Sequence, residues 1–467
     1  MVQARTIALV GRSLLLVGSV TLACVVLGTA FAILVTRTNL PGRRWLGVAL
    51  TLPLAMPSYL LAYLWVSAAP QVSGFWGAWL VLTLVSYPYV LLTAMAALRR
   101  VDPAHEEVAR SLGHGGWAVL FRVTLRQIRS SIAAGALLVA LYVLSDFGAV
   151  AAMRYEVFTW VIYGAYRSGF NPARAAVLSL VLLLFALALV AGEGWARGRA
   201  AAHRVGGGTS RPAPLNRLGA WTIPALGIPI AVLALAIALP LAVLCRWLLS
   251  AGSRWDAVQF TSALGSTLWL STLGAAACVL AALPVAVLGA RYRTRVGRVL
   301  EGATYLAHGL PGIVIAIAMV SVGVVLLRPL YQREELLILA YVVLLVPLAV
   351  GSIRAAVEAA PVRLEEVARS LGRSPLRAFV EVTGRGAAPA VAAGAALVLL
   401  TCMKELPVTL LLRPTGTDTL ATRLWGFSSI SDYAAAAPYA AALVLFAAVP
   451  TALLGGWSAH LAKADRG

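Results

Sequence analysis

Apolar residues fill this chain in long runs, near 7–36, 45–68, 75–98, 130–152, 174–196, 220–248, 264–290, 299–327, 334–358, 388–411 and 438–460. Each run is about 20 residues or longer, the length at which a helix crosses the hydrocarbon core of a bilayer. A crossing segment has no water to satisfy its backbone, so each run predicts a helix. The pattern predicts about eleven spans and an all-α, polytopic transmembrane helical bundle. One polar stretch interrupts it. Residues 197–218, RGRAAAHRVGGGTSRPAPLNRL, are rich in Gly, Pro and Arg and read as a linker.

The order of residues also carries a repeat. Residues 106–113 read EEVARSLG, and residues 365–372, which lie 259 positions later, read the same. Val123-Thr124 matches Val382-Thr383, and Ala133-Ala134-Gly135 matches Ala392-Ala393-Gly394. Upstream, Leu52-Pro53 to Pro57 resembles Leu306 to Pro311, and the helix around Cys24 resembles the one around Cys278. Six predicted spans separate the two copies, an even number, so both lie on one face of the membrane. The halves are therefore expected to be parallel repeats related by a pseudo-two-fold axis along the membrane normal. The predicted domains are 1–196 as the first repeat, 197–219 as a cytoplasmic linker, and 220–467 as the second repeat. The run at 220–248 has no partner in the first half, which reads as one helix short.

Each EEVARSLG segment follows a predicted span and is itself amphipathic. Val108, Leu112, Val119 and Leu120 in the first copy, and Val367, Leu371, Phe379 and Val380 in the second, recur with helical spacing. Glu106 and Glu107 stand where the helix dipole favours acids. Gly113 and Gly372 end the helix or admit close backbone approach. An interfacial helix lying on lipid would have this pattern too. Lipid gives no reason for eight identical residues at two symmetric places, whereas docking into a repeated partner does.

These residues resemble the EAA motif of permeases from binding-protein-dependent ABC importers, in which E-A-A is followed after three residues by Gly. Here the motif reads Glu107-Val108-Ala109 to Gly113 and Glu366-Val367-Ala368 to Gly372. The resemblance implies the type I importer permease fold and a coupling helix that fits a groove on the nucleotide-binding subunit. Residues assigned to that coupling are Glu106, Glu107, Ala109, Leu112, Gly113, Glu365, Glu366, Ala368, Leu371 and Gly372. Where the motif ends in a proline-containing element, this chain has Val123-Thr124-Leu125-Arg126 and Val382-Thr383-Gly384-Arg385. Residues 404–414, KELPVTLLLRP, look like the fused permeases of ferric iron importers, and Ser145 to Val150 hold the matching place in the first half. Thiamine, polyamine and aminoethylphosphonate permeases are similar in much of this. The implied partners are two ATP-binding cassette subunits on the cytoplasmic face, an extracytoplasmic solute-binding protein and the lipid of a bacterial inner membrane.

Composition agrees with this picture. Hydrophobic residues make up 61% and charged residues 12%, too little polar surface for a soluble domain. The net charge of +20 would suit nucleic acid, but its placement argues against that. Arginines cluster at Arg37 to Arg44, at Arg99 to Arg129, in the linker, at Arg291 to Arg298, at Arg354 to Arg385 and in the C-terminal tail. These all fall on one side if the spans alternate, which makes that side cytoplasmic and puts the N-terminus outside. Arg154, Arg167 and Arg328 are the few on the other. The run from 7 to 35 is too long for a signal-peptide core and reads as a retained helix. Cys24, Cys245, Cys278 and Cys402 lie singly in apolar runs, so neither a zinc site nor a disulfide framework is expected. No Gly-Lys pair exists, so there is no P-loop, and ATP must bind elsewhere.

Ionisable groups inside spans are costly and tend to be functional or paired. Asp146 and Glu405 share the 259-residue offset. They read either as a pathway or outer gate, or as structural ion pairs near the outer surface. His308, beside Gly309 and Pro311, reads either as a pathway ligand or as a hydrogen-bonded packing residue. Pro53, Pro57 and Pro311 are expected to kink their helices. Tyr155, Trp160, Tyr163, Tyr166, Trp425 and Tyr433 serve either a binding protein or an aromatic belt. No catalytic residue, cofactor site or resident metal site is expected. A secondary transporter would need no repeated docking helix, and a channel would repeat a filter loop, which is absent.

Overall fold

The computed structural model describes residues 2–167, 171–198, 215–250, 256–291, 295, 304 and 309–447. Among these the secondary structure is helical, apart from turns and one isolated bridge between Thr38 and Asn216. His308 lies outside the described residues, as does most of the linker. Packing divides the chain into two units that part at residues 251 and 252.

The first unit contains α1 (Val2–Arg37), α2 (Arg43–Ala49), α3 (Ser58–Ala68), α4 (Gly74–Leu98) and α5 (Ala104–Ser111). It continues with α6 (Gly116–Ser145), α7 (Gly148–Ala152), α8 (Phe158–Arg167), α9 (Pro172–Gly198) and α10 (Gly219–Leu249). The second unit contains α11 (Ala257–Arg291), α12 (Gly312–Val325), α13 (Glu334–Ala359), α14 (Val362–Ser370) and α15 (Pro375–Lys404). It ends with α16 (Pro407–Leu412), α17 (Leu420–Ser429) and α18 (Tyr433–Ala447).

Eight described helices are long and apolar enough to cross a membrane, and a bent pair makes a ninth. Among the described residues, several of the roughly eleven predicted spans are broken, at Pro57 as expected and elsewhere at Asp146 and Glu405. The run at 45–68 is two helical pieces, Arg43–Ala55 and Ser58–Ala68, meeting at 91°. Pro57 lies at the bend with extended backbone (φ −60°, ψ 135°), because its ring and missing N–H stop a helix from passing through. Pro311 has the same backbone (φ −62°, ψ 135°) and starts α12, which is only 14 residues long. The runs at 130–152 and 388–411 break after Ser145 and Lys404, where Asp146 and Glu405 turn extended. The run at 438–460 is described as α18 up to Ala447.

Without a hydrophobic force between helices in lipid, close packing of small residues holds a bundle together. In the first unit α1 and α6 both press on α4. A Cβ on Gly28 would lie 2.7 Å from Val90 Cβ and 2.8 Å from Leu91 N. A Cβ on Gly135 would lie 2.5 Å from Thr93 Oγ1 and 2.8 Å from Val90 Cα. The second unit repeats the contact at the same offset, with Gly394 of α15 against Ser352 of α13. Helix α10, expected with the second repeat, packs in the first unit, where Trp247 Nε1 donates to Ser67 Oγ of α3 at 3.1 Å.

The first unit has two distinct ends. At one, Arg37, Leu98, Glu106 and Thr124 meet. At the other, Arg12 pairs with Glu156 at 3.0 Å, and Gly74 N donates to Met153 O at 2.7 Å. The end that carries α5 is the arginine-rich one, hence cytoplasmic.

Gly135→Val forces a branched side chain against backbone that cannot yield, so it should destabilise the protein by about 2 kcal/mol. The measure is the thermal midpoint in detergent. Gly164→Ala, with nothing within 4 Å of the added carbon, should leave that midpoint nearly unchanged.

Candidate functional site

Helices α5 and α14 carry the repeated residues, and their form follows from the sequence. Each ends on a glycine with positive φ, +85° at Gly113 and +88° at Gly372. His114 N donates to Ala109 O and Gly113 N to Arg110 O, at 3.1 and 3.0 Å. Arg373 N to Ala368 O and Gly372 N to Arg369 O repeat both bonds at the same distances. This is a Schellman closure, which requires a left-handed residue that glycine adopts without strain. The chain then enters α6 and α15 through π turns at Leu120–Thr124 and Phe379–Gly384.

The eight repeated residues divide into an inner and an outer set. Glu106 and Ala109 are buried, at 5% and 7% exposure. Their counterparts Glu365 and Ala368 are half-buried. Glu107, Val108, Arg110, Ser111, Leu112 and Gly113 are exposed, as are Glu366, Val367, Arg369, Ser370, Leu371 and Gly372. Leucine and valine stand outward on both helices, with Leu112 at 73% and Leu371 at 79% exposure. The apolar residues that looked like one buried stripe are therefore split: Val119 is buried, while Val108 and Leu112 form an outer ridge. Of the predicted coupling residues, Glu107, Leu112, Gly113, Glu366, Leu371 and Gly372 face outward, and Glu106, Ala109, Glu365 and Ala368 face their own bundle.

The inner glutamates have partners that the sequence reading did not single out. Glu106 Oε1 accepts from Thr124 Oγ1 at 2.9 Å and pairs with Arg37 Nη2 at 3.4 Å. Arg37 Nη2 also donates to Leu98 O at 3.2 Å, at the C-terminal end of α4. In the second unit Glu365 Oε1 accepts from Thr383 and pairs with Arg291 Nη2 at 2.7 Å. Arg291 Nη2 reaches Ala360 O at 3.3 Å, just past α13. Arg37 and Arg291 each terminate the first long helix matched between the halves. Their separation of 254 residues is that of Cys24 and Cys278, a signal that could have found them. Asn216 was missed as well. Its side chain accepts from Arg110 Nη2 at 3.1 Å, and its backbone bonds Asn39 N and Arg37 O.

Asp146 and Glu405 act as caps at broken spans. Asp146 Oδ1 accepts from Ala149 N at 2.8 Å, at the start of α7, and Oδ2 accepts from Ser58 of α3. Glu405 Oε1 accepts from Val408 N at 3.1 Å, at the start of α16. Gly312 sits where Ser58 sits in the first half. A Cβ there would lie 3.2 Å from Glu405 Oε1. The longer acid thus fills the room that the shorter acid shares with a serine. Of the aromatic candidates, Tyr163 and Trp425 are buried, at 8% exposure each. Trp160 stacks on Phe147.

With this geometry in place, comparison with known proteins decides the family. The description "Binding-protein-dependent transport system inner membrane component" matches residues 25–192 and again 279–466. The chain belongs to this family. It is a multi-pass permease of ABC importers, with the type I fold in two copies, and it resides in the bacterial inner membrane. Helix α10 lies outside both matched segments. The permease is 36% identical over 454 residues to the Fe(3+)-transport system permease protein FbpB 2 of Haemophilus influenzae. That match covers 96% of this chain and 90% of the relative. It is 29% identical to the sulfate transport system permease protein CysT of Escherichia coli, over 34% of this chain and 64% of the relative. It is 32% identical to the molybdenum transport system permease protein ModB of the same organism, over 26% and 60%.

If Asp146 serves as a cap, Asp146→Asn should fold and transport like the parent, since asparagine caps as well. Asp146→Ala should cost about 1 kcal/mol of stability. Thermal midpoint and uptake in the same preparation check this. Lost uptake in a well-folded Asp146→Asn variant would assign the charge itself to the pathway.

Proposed function

We propose that α5 and α14 receive two copies of one ATP-hydrolysing subunit, and that the permease passes ferric iron from an extracytoplasmic solute-binding protein into the cytoplasm. One observation carries the docking reading: Glu107 to Gly113, exposed apart from Ala109, are identical to Glu366 to Gly372, while the exposed residues next to them are not. Trp117 and Phe121 stack beside the first ridge, and Leu376 and Val380 stand in their place at the second. Arg122 is replaced by Glu381, which is held by Arg373 at 3.4 Å and Arg377 at 3.0 Å. Buried residues stay alike because the two halves share a fold. Exposed residues have no such constraint, so an uninterrupted run of exposed identity with differing neighbours on either side points to a repeated partner. Unpartnered leucines more than two-thirds exposed suit insertion into an apolar groove, and the arginine and glutamate beside them suit a polar rim.

Coupling in this reading is mechanical. ATP binds and is hydrolysed on the partner subunits, and their closure shifts the bundle between two states. Iron is favoured because the relative named for Fe(3+) transport aligns over both halves, whereas the sulfate and molybdenum relatives align over about a third of the chain or less.

Leu112→Glu and Leu371→Glu each place a charge in a docking contact, at a cost of about 2 kcal/mol or more. Each single variant should halve the ATP-hydrolysing subunit captured per chain, and the double variant should capture none. Quantified co-purification reads this. Full capture by the double variant would remove the ridge from docking. Uptake of radioactive ferric iron in cells lacking other iron importers tests the substrate. Chain-dependent uptake of sulfate or molybdate without iron uptake would replace it.

A further inference from the structure

We infer that Arg37 and Arg291 are positioning residues for coupling: each ties its docking helix to the bundle, so that motion of a docked subunit is transmitted to the spans. The inference rests on the docking reading above and concerns the opposite face of the same two helices. A helix as short as α5, Ala104–Ser111, has little stability of its own and keeps its place through what it packs against. Its outer face holds the ridge. Its inner face holds Glu106 and Ala109.

The tie joins four elements at one point. Arg37 ends α1, bonds the last carbonyl of α4 and pairs with Glu106 of α5, which accepts from Thr124 at the π turn opening α6. Arg291 ends α11, bonds the carbonyl after α13 and pairs with Glu365 of α14, which accepts from Thr383. Arg291 Nη2 also donates to Thr383 Oγ1 at 3.1 Å. The side chains of Arg37 and Glu106 are 4% and 7% exposed, and those of Arg291 and Glu365 are 13% and 18%. An ion pair on the surface yields and re-forms at little cost. A buried one leaves an unpaired charge when it parts, so it holds or breaks as a unit. That property suits a joint that must carry force without slipping.

The two ties are unequal. Arg291 Nη2 reaches three acceptor residues and Arg37 Nη2 two, while Nε meets no partner on either side chain and Nη1 meets none on Arg37. The first tie has an outside brace instead, because Asn216 holds Arg110 of α5 and the backbone of Arg37 and Asn39. No such brace is recorded for Arg369 among the described residues. Losing Arg291 should therefore loosen its helix more than losing Arg37 loosens α5.

The test uses the full chain in proteoliposomes with the ATP-hydrolysing subunit that co-purifies with the parent protein. Capture, ATP hydrolysis and solute import are measured together for Arg37→Ala, Arg291→Ala, Glu365→Gln and the exchanged pair Arg291→Glu with Glu365→Arg. Expected are full capture, continued hydrolysis and a rise of about tenfold in ATP used per solute imported. The rise should be larger for Arg291→Ala, and the exchanged pair should restore most of the parent's ratio. Amide exchange over residues 362–372 should quicken in Arg291→Ala and not in Leu371→Glu. An unchanged ratio in both alanine variants overturns the inference and leaves docking standing. Capture lost together with import, with no rescue by the exchanged pair, also overturns it, because the arginines would then only hold the fold. Failure of the parent chain to capture any ATP-hydrolysing subunit defeats the docking reading itself.

Discussion

A helix that stops inside a bilayer leaves N–H and C=O groups that no water can reach, so each break in a span needs a built partner. This constraint organises both halves of the permease. Asp146 and Glu405 sit where two spans break, and each carboxylate takes up an N–H of the short helix that follows. Pro57 and Pro311 sit where the neighbouring helices begin, and a proline at a helix start removes a donor that would otherwise be orphaned. The broken elements then pack on one another: Gly148 presses on Tyr59 in the first unit, and Gly312 lies against Glu405 and Val408 in the second. Charge within the apolar layer is thereby spent on holding irregular backbone.

At the cytoplasmic end the same economy of polar groups takes another form. The short helices α5 and α14 are held to the bundle there by single charged groups. An arginine at the end of a long helix has room to bond both a terminal carbonyl and a carboxylate. That geometry lets one side chain fix the relative placement of a span, its neighbour and the short helix that follows. The Schellman closures at Gly113 and Gly372 finish the task by turning the chain sharply into the next span.

Much of this was legible in the sequence. Long apolar runs fixed the helical class, and the repeated octapeptide located α5 and α14 and their terminating glycines. The symmetric acids were visible as a pair, but not their work. Capping depends on where the backbone turns extended, and an apolar run does not disclose a break inside it. The run at 45–68 did disclose its break, through Pro53 and Pro57, though not the 91° angle. Arg37 and Arg291 were hidden by a change of register. The halves align at 254 residues through Ser58 and Gly312 and at 259 from the octapeptide onward, so one offset does not connect the arginines to Glu106 and Glu365. Glu106 and Glu107 could not be told apart in role, since neighbours on a helix point about 100° from each other and only packing says which one faces in. The placement of α10 was out of reach too, because an apolar span with polar ends carries no address for the neighbour it joins.

The two halves agree where a common requirement acts and differ where none does. Gly135 and Gly394 agree because two helices must touch, and Thr124 and Thr383 agree because a buried carboxylate needs a donor. Ser58 and Gly312 differ, yet the space between them and the acid is conserved in sum, a shorter acid with a serine against a longer acid with a glycine. Identity of the outer ridge belongs to a third kind, because no internal contact demands it. Drift within a fused chain acts on each half separately and erodes such identity unless something outside the chain holds both copies to one shape. The partner proposed for α5 and α14, present twice, would do so. Partners of two different kinds would have let the ridges diverge as far as Trp117 and Leu376 have.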